Sequence, residues 1–209
     1  MIERVEVQGV FPENAYFYID PDTRQGFLID PGAEPQRLYD MIVRNNLEIQ
    51  AILLTHGHFD HTGAVQFLHE KLQLPYYILS PYGEDYLTNP GLNLSGGYGI
   101  NSVLPDAQFF HDGDFISLPD NPQFGLQVIA TPGHTPDSAT LYSSADNAAF
   151  VGDTIFRGSP GLTTFPGGNR PDLFRSIQEK ILVLPDSTTL YSGHTGPTTV
   201  GAEKPNYMR

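Results

Sequence analysis

Three histidines and one aspartate are crowded into the stretch LLTHGHFDHTG, which runs from Leu53 to Gly63. They are His56, His58, Asp60 and His61. Neutral imidazole and carboxylate groups are ligands that zinc, iron and manganese accept in proteins. Taken alone, the stretch could also be a patch of surface histidines. Its spacing indicates a metal centre, and the rest of the sequence must decide between the two interpretations.

Three further candidate ligands each follow a predicted strand and stand beside a glycine. His134 lies in TPGHTPDS after the strand GLQVIA, Asp153 lies in VGDTIF after AAFV, and His194 lies in YSGHTGPTT after TTLY. Glycine lets the backbone turn sharply and approach a site closely. Seven side chains of this kind at four strand ends are difficult to explain as packing, so we expect them to converge.

The first motif lies between a predicted strand and a predicted helix. IQAILLT is a buried strand by composition, and Val65, Leu68 and Leu72 follow at the spacing of one helix face. A loop between two rigid elements is where α/β proteins place ligands. Pro35 is predicted to open an earlier helix, and residues 171–185 a later one. The remaining predicted strands are ERVEV, AYFYID, GFLID, AQFF, FISL and ATLYS.

Composition narrows the class of protein. The chain has 209 residues and no cysteine, which excludes disulfides, thiolate metal sites and a cysteine nucleophile. The N-terminus carries no basic region followed by an apolar run, and no apolar stretch is long enough to span a bilayer. We therefore expect a cytoplasmic protein that does not bind membranes. The formal net charge of −13 argues against a nucleic-acid partner, because such a surface repels phosphate.

Residues 88–105 are rich in glycine, asparagine, proline and serine. They predict a long loop that acts as a lid over a site, and Tyr98 within it is a candidate substrate contact. No interdomain linker or internal repeat is visible. We expect residues 1–209 to form one domain, in which two sheets pack together with helices outside.

The order His-x-His-x-Asp-His, Gly-His, Gly-Asp, Gly-His resembles the metallo-β-lactamase superfamily. The stretches GDTIFRGSPG, FPGG, NLSGGYG and GPTTVGAEK are similar to the short glyoxalase II-like (hydroxyacylglutathione hydrolase-like) enzymes. The resemblance implies an α+β fold, a four-layer αββα sandwich of two mixed sheets with helices on the outer faces. It also implies a hydrolase that acts on a small molecule and holds its metals at one edge of the sheets.

The resemblance further implies two divalent metal ions, zinc first, with iron or manganese as alternatives. Asp60 and Asp153 would be the catalytic residues at a metal-bridging hydroxide. Asp30, in the IDPG turn, is either a partner that orients a ligand or a plain turn residue. The ligand positions of the family fall on His56, His58 and His134 for the first ion, Asp60, His61 and His194 for the second, and Asp153 between them.

Three activities share this ligand pattern. The first expectation is cleavage of a hydroxyacyl thioester, because a thiol has a pKa of only about 8.5 and leaves without acid assistance. A persulfide dioxygenase with one iron and a lactone hydrolase are the alternatives. Many short relatives carry Arg and Asp where this chain has Leu162 and Thr164, which predicts weak recognition of glutathione. Both a monomer and a homodimer remain open.

Two histidines are predicted to lie outside the metal centre. His69 follows the first motif on the helix and is expected to be exposed. His111 lies in FFHDGD, where Asp112 and Asp114 have the residue type of a turn between two strands.

Overall fold

The computed structural model describes residues 1–207, whose strands form two large sheets. In the first sheet, six strands lie side by side in chain order. The first three pair antiparallel and the later neighbours pair parallel, so the sheet is mixed. Its strands are β1 (Ile2–Gln8), β2 (Pro12–Ile19), β3 (Gln25–Ile29), β4 (Glu48–Leu53), β5 (Tyr76–Leu79) and β6 (Gln108–Phe110).

The second sheet is also mixed. Its strands are β7 (Phe115–Ser117), β8 (Gly125–Ala130), β9 (Ala139–Ser143), β10 (Ala148–Gly152), β13 (Thr189–Ser192) and β14 (Thr198–Thr199). They lie in the order β14-β13-β10-β9-β8-β7, in which only β10 and β13 are parallel neighbours. A separate hairpin, β11 (Ile155–Phe156) and β12 (Ser159–Pro160), follows β10 in the chain.

Six α-helices accompany the sheets in residues 1–207. They are α1 (Pro35–Arg44), α2 (Phe59–Thr62), α3 (Val65–Leu72), α4 (Gly83–Thr88), α5 (Arg170–Ser176) and α6 (Val200–Tyr207). In this part of the chain, no helix combines the length and the apolar character that crossing a bilayer requires.

Three apolar layers separate these elements. Along β2, Tyr16 and Tyr18 pack between the two sheets, whereas Phe17 and Ile19 pack in the layer that contains α1 and α3. This alternation arises because successive side chains of a strand point to opposite faces. On the far side of the second sheet, Val151 packs in the layer that contains α5 and α6. The predicted αββα sandwich is therefore confirmed.

The later helix differs from its prediction. Instead of one helix over residues 171–185, α5 ends at Ser176 and a π-helical turn spans Ile177–Ile181. Leu173, Ile177 and Ile181 are spaced by four residues and are all buried. An α-helix has 3.6 residues per turn, so a wider turn keeps these side chains on one face. The structure also contains strand β5 and helices α4 and α6, which the hydrophobic pattern of the sequence did not predict.

The predicted loop contains a short 3-10 helix, Ser95–Tyr98. Asn93 and Ser95 are buried, and the backbone amide of Phe59 donates to the Asn93 carbonyl at 3.0 Å. The Asn93 side chain in turn donates to the Ser102 carbonyl. These bonds attach the segment to the first candidate ligand motif. Whether the segment acts as a lid, and whether the chain is one domain, stay predictions.

Candidate metal centre

Four loops that carry the candidate ligands meet at one edge of the two sheets, after the ends of β4, β8, β10 and β13. Backbone hydrogen bonds join the sheets there. The amide of Ala139 donates to the Thr55 carbonyl at 2.7 Å, and the amide of Asn14 donates to the Gly193 carbonyl at 2.8 Å. The four loops are therefore held on a common scaffold.

Two glycines permit this close approach. Gly152 has a φ of +49°, and a Cβ there would lie 2.3 Å from Thr55 Oγ1. A Cβ at Gly193 would lie 2.4 Å from the ring of His61 and 2.5 Å from an oxygen of Asp153. Any larger residue would displace the candidate ligands, which is the role that the sequence assigned to glycine here.

The first group of donor atoms comes from three buried histidines. His58 Nδ1 lies 3.1 Å from His56 Nε2 and 3.0 Å from His134 Nε2. Burial lowers the pKa of all three imidazoles, that of His58 to about 3. The rings are therefore neutral near pH 7, and each can present a lone pair to a cation.

The second group contains Asp60, His61 and His194, whose donor atoms lie within 4.8 Å of one another. His194 Nε2 lies 3.3 Å from Asp60 Oδ2. Burial raises the pKa of Asp60, but its hydrogen bond with His194 and the charge of His61 outweigh that effect, and the net pKa is lowered. Asp60 is therefore ionised.

Asp153 lies between the two groups. Its Oδ2 is 3.6 Å from His134 Nε2 and 3.4 Å from His194 Nε2, and its Oδ1 is 3.4 Å from His61 Nε2. Asp153 Oδ1 and His61 Nε2 are buried and have no hydrogen-bond partner in residues 1–207. Because buried polar atoms are nearly always satisfied, these two atoms fit a bound cation. We name the seven residues His56, His58, Asp60, His61, His134, Asp153 and His194 the donor cluster.

The nitrogens that face away from the donor cluster bind the scaffold. His61 Nδ1 donates to Asp30 Oδ2 at 3.0 Å, His134 Nδ1 to the Leu162 carbonyl at 2.7 Å, and His194 Nδ1 to the Pro12 carbonyl at 2.7 Å. Such bonds fix the tautomer that leaves the opposite nitrogen free for a metal. His58 differs, since its Nδ1 faces the cluster and its Nε2 has no partner among the described residues.

Asp30 lies in a turn and also accepts a hydrogen bond from the candidate ligand His61. It has a φ of +48° in the turn after β3. Its two oxygens accept from the Thr55 amide at 2.8 Å and the Thr55 hydroxyl at 2.6 Å, besides His61. The Thr55 hydroxyl also lies 3.2 Å from His56 Nδ1. One buried carboxylate thus orients two histidines.

A further buried acid, Glu13, lies behind the donor cluster, and burial raises its pKa well above the ordinary value. Glu13 is 1% exposed, and its Oε1 lies 3.8 Å from His61 Nδ1. Burial lowers the pKa of His61 and His194, but Asp153 and its neighbouring carboxylates outweigh burial and raise both, that of His194 to about 10. The surroundings therefore stabilise positive charge at this position.

Two buried acids were not found from the sequence. Glu13 is one, and the other is Asp137, whose Oδ2 accepts from the Gly57 amide at 2.8 Å. Burial raises the pKa of Asp137 to about 6. Gly57 stands between His56 and His58, so Asp137 holds the first motif in place. The spacing of Asp137, three residues after His134, was the one signal available.

A cavity of about 430 Å³ opens above the donor cluster. Tyr98 lines it, as the sequence predicted for a substrate contact, and so does Leu162, whereas Thr164 does not. The other hydrophobic lining residues were not predicted from the sequence. We name the six hydrophobic side chains Phe11, Leu94, Tyr98, Phe156, Leu162 and Phe165 the apolar wall.

The two remaining histidines lie outside the centre. His69 is partly buried rather than exposed, because its Nδ1 donates to the Leu74 carbonyl at 2.6 Å and closes the end of α3. His111 is exposed, and its amide donates to the Asp114 side chain at 2.8 Å. Asp112 accepts from the Ala130 amide. The turn interpretation of these residues agrees with the structure.

Known proteins resemble the chain over most of its length. A sequence profile of the Metallo-beta-lactamase superfamily matches residues 8–194. The probable metallo-hydrolase YqgX of Bacillus subtilis is 40% identical over 91% of this chain and 88% of its own. The hydroxyacylglutathione hydrolase GloC of Haemophilus influenzae is 33% identical over 93% of this chain and 91% of its own.

Two solved structures extend the comparison. The BLEG-1 B3 metallo-beta-lactamase covers 100% of both chains with a TM-score of 0.92 and 32% identity. TTHA1623 in a di-iron-bound form covers 96% of both chains with a TM-score of 0.84 and 35% identity. The profile match spans all seven residues of the donor cluster. The chain belongs to the metallo-beta-lactamase superfamily and is a metallo-hydrolase homologue.

Proposed function

We propose that this protein is a binuclear metallohydrolase that cleaves a thioester. One observation carries the proposal: Asp153 stands within 3.6 Å of donor nitrogens from both groups, at the floor of a cavity. His56, His58 and His134 would hold one cation, Asp60, His61 and His194 the other, and Asp153 both. Zinc is the first candidate, and iron or manganese also suit this donor set.

When bound, two such cations would lower the pKa of a bound water towards 7 and polarise the acyl carbonyl. The chain itself orients the reactants. Asp60 is ionised, lies at the cavity floor and can accept a hydrogen bond from the attacking water. Asp30 accepts a hydrogen bond from His61 Nδ1 and keeps the Nε2 of that ring turned to the centre. The apolar wall excludes bulk water from the substrate.

The cavity lining favours a thiolate leaving group. Apart from members of the donor cluster, Tyr98 is the one ionisable side chain among the described residues that line it. An alkoxide or an amine would therefore depend on the Tyr98 phenol for a proton. A thiolate needs no such proton, because its conjugate acid has a pKa of about 8.5. The names of GloC and YqgX support hydrolysis, whereas the name of BLEG-1 makes a β-lactam a necessary comparison substrate.

The test combines metal content with turnover. Protein purified without added metal, and protein reloaded with zinc, iron or manganese, would be analysed for metal per chain and assayed with acyl thioesters. We expect two metals per chain and thiol release without oxygen consumption. One iron per chain with oxygen uptake on a persulfide would replace the proposal with a dioxygenase. Faster cleavage of a lactone or a β-lactam than of any thioester would also contradict it.

Small-molecule chemistry fits the enclosed cavity, and the net charge of −13 supports the absence of a nucleic-acid partner. A cytoplasmic location, a single domain and a lid role for residues 88–105 belong to the same proposal.

A further inference from the structure

We propose that the substrate of this site is an uncharged thioester with an apolar acyl chain, selected by the apolar wall. This inference rests on the proposed thioester hydrolysis and specifies its substrate class. The proposed substrate differs from the glutathione thioester that the name of one relative suggests. The proposal is based on the residues that line the cavity of this chain.

The apolar wall surrounds the donor cluster on more than one side. The Phe165 ring packs edge-on against His58 and His134, with centroids 5.6 and 5.9 Å apart. On the opposite side, the Phe156 ring lies 6.1 Å from that of His194. A carbonyl held over the donor cluster would therefore have aromatic carbon beside both of its substituents. Outside the donor cluster, the Tyr98 hydroxyl is the one hydrogen-bonding side-chain group among the described residues that line the cavity.

The outer part of the wall is held by aromatic contacts. Tyr98 packs edge to face against Phe11 at 5.4 Å, and its ring lies 5.3 Å from Phe59. Phe11 and Tyr98 are 37% and 51% exposed, and Leu162 is 56% exposed. These hydrophobic surfaces remain in contact with water until a ligand covers them. An apolar ligand gains free energy by covering such surfaces, and exposed apolar concavities of this size are typical of ligand sites.

In the described part of the chain, the cavity offers no cationic side chain to an anionic substrate. In residues 1–207 no lysine or arginine lines the cavity, whereas Asp60 and Asp153 lie at its floor. Glu13 and Asp30 lie behind them. A carboxylate on the substrate would lose its hydration without gaining a cationic partner from the protein. Glutathione carries two carboxylates, so its thioesters should bind poorly.

The experiment uses the metal-loaded enzyme and a series of thioesters. Acetyl, butanoyl and hexanoyl thioesters of N-acetylcysteamine, which is uncharged, would be compared with the succinyl thioester and with S-hexanoylglutathione. We expect kcat/KM to rise about fourfold for each added methylene until the wall is covered. The two anionic substrates should be at least about tenfold poorer than hexanoyl-N-acetylcysteamine. A flat series, or equal use of the glutathione thioester, would overturn the inference.

Binding without turnover separates this inference from the proposed function. S-Hexyl-N-acetylcysteamine and S-hexylglutathione are thioethers that cannot be hydrolysed, and calorimetry would measure both. Tighter binding of the uncharged thioether supports the inference even if no thioester is cleaved, an outcome that would reject only the thioesterase proposal. Tighter binding of S-hexylglutathione rejects the inference, whatever the activity.

Leu162 offers a matched set of variants. Its side chain lines the cavity and is exposed, while the bond to His134 uses its backbone carbonyl, which substitution retains. We expect Leu162→Arg to shift the preference towards the glutathione thioester by about tenfold or more, and Leu162→Glu to shift it the other way. Val183→Arg, at a surface position 65% exposed and outside the cavity, is the control for added charge. Equal shifts in Leu162→Arg and Val183→Arg would show that Leu162 does not select the substrate.

Discussion

The floor and the wall of one cavity are built in opposite ways. At the floor, the donor cluster is mostly buried, and hydrogen bonds donated to Asp30, Leu162 and Pro12 fix three of its rings. Along the wall, Phe11, Tyr98 and Leu162 are partly exposed, and aromatic contacts hold the two rings. We therefore expect changes at the floor to reduce metal binding, and changes along the wall to alter substrate preference while the metal centre is retained. Four predictions, including the Leu162 set, follow this contrast.

The largest loss of turnover is expected when Asp153 is substituted. Asp153→Ala removes the carboxylate that lies between both donor groups, and His61 and His194 each lose an acidic partner at 3.4 Å. We expect turnover to fall by at least about 1,000-fold, the scale of losing a central catalytic group. Metal per chain, turnover and circular dichroism would be measured together. Asp146→Ala, at an acid outside the cavity, is the control, and full retention of metal and rate in Asp153→Ala would reject the binuclear proposal.

A smaller effect, a loss of metal affinity, is expected at Asp30, which accepts a hydrogen bond from the candidate ligand His61. In Asp30→Asn an amide NH₂ would replace one of the oxygens that accept from Thr55 and His61. If that NH₂ faces His61, the ring must protonate Nε2, the nitrogen that faces the centre. We expect about a 10- to 100-fold loss of metal affinity, the usual effect of removing such a partner.

The Asp30 variant needs a matched control. Asp22→Asn changes the same residue type at an exposed position. Metal affinity would be measured by competition with a chelator for both variants. Unchanged affinity in Asp30→Asn would assign Asp30 to the turn alone.

The smallest effect is expected at the wall. Tyr98→Ala removes a ring that packs against Phe11 and Phe59. This ring takes part in none of the hydrogen bonds that orient the donor cluster. We expect kcat/KM for the hexanoyl thioester to fall by about three- to tenfold, with metal content unchanged. Tyr98→Phe keeps the ring and should retain most of the activity. Equal losses in the two variants would show that the hydroxyl group, rather than the ring, contacts the substrate.

Most of the fold was predictable because local patterns encode it. The run of aromatic and apolar residues in β2 and the apolar stripe of α3 appear in the sequence itself. Strand β5 was not predicted, because Tyr76–Leu79 is short and is defined by parallel pairing with β4 and β6. The π-helical turn was also missed, since its cause is the packing of Ile177 and Ile181 against the second sheet.

The sequence by itself determined the chemistry of this protein. The capacity to bind metal depends on the types of side chain present. The strand ends that carry the donor cluster can be predicted from the local sequence. Only the tertiary structure decided what surrounds that chemistry. Asp137 meets Gly57, Glu13 meets His61, and the apolar wall assembles from segments far apart in the chain. Such contacts form because folding buries side chains against distant partners, and no spacing along the chain records which partner that is.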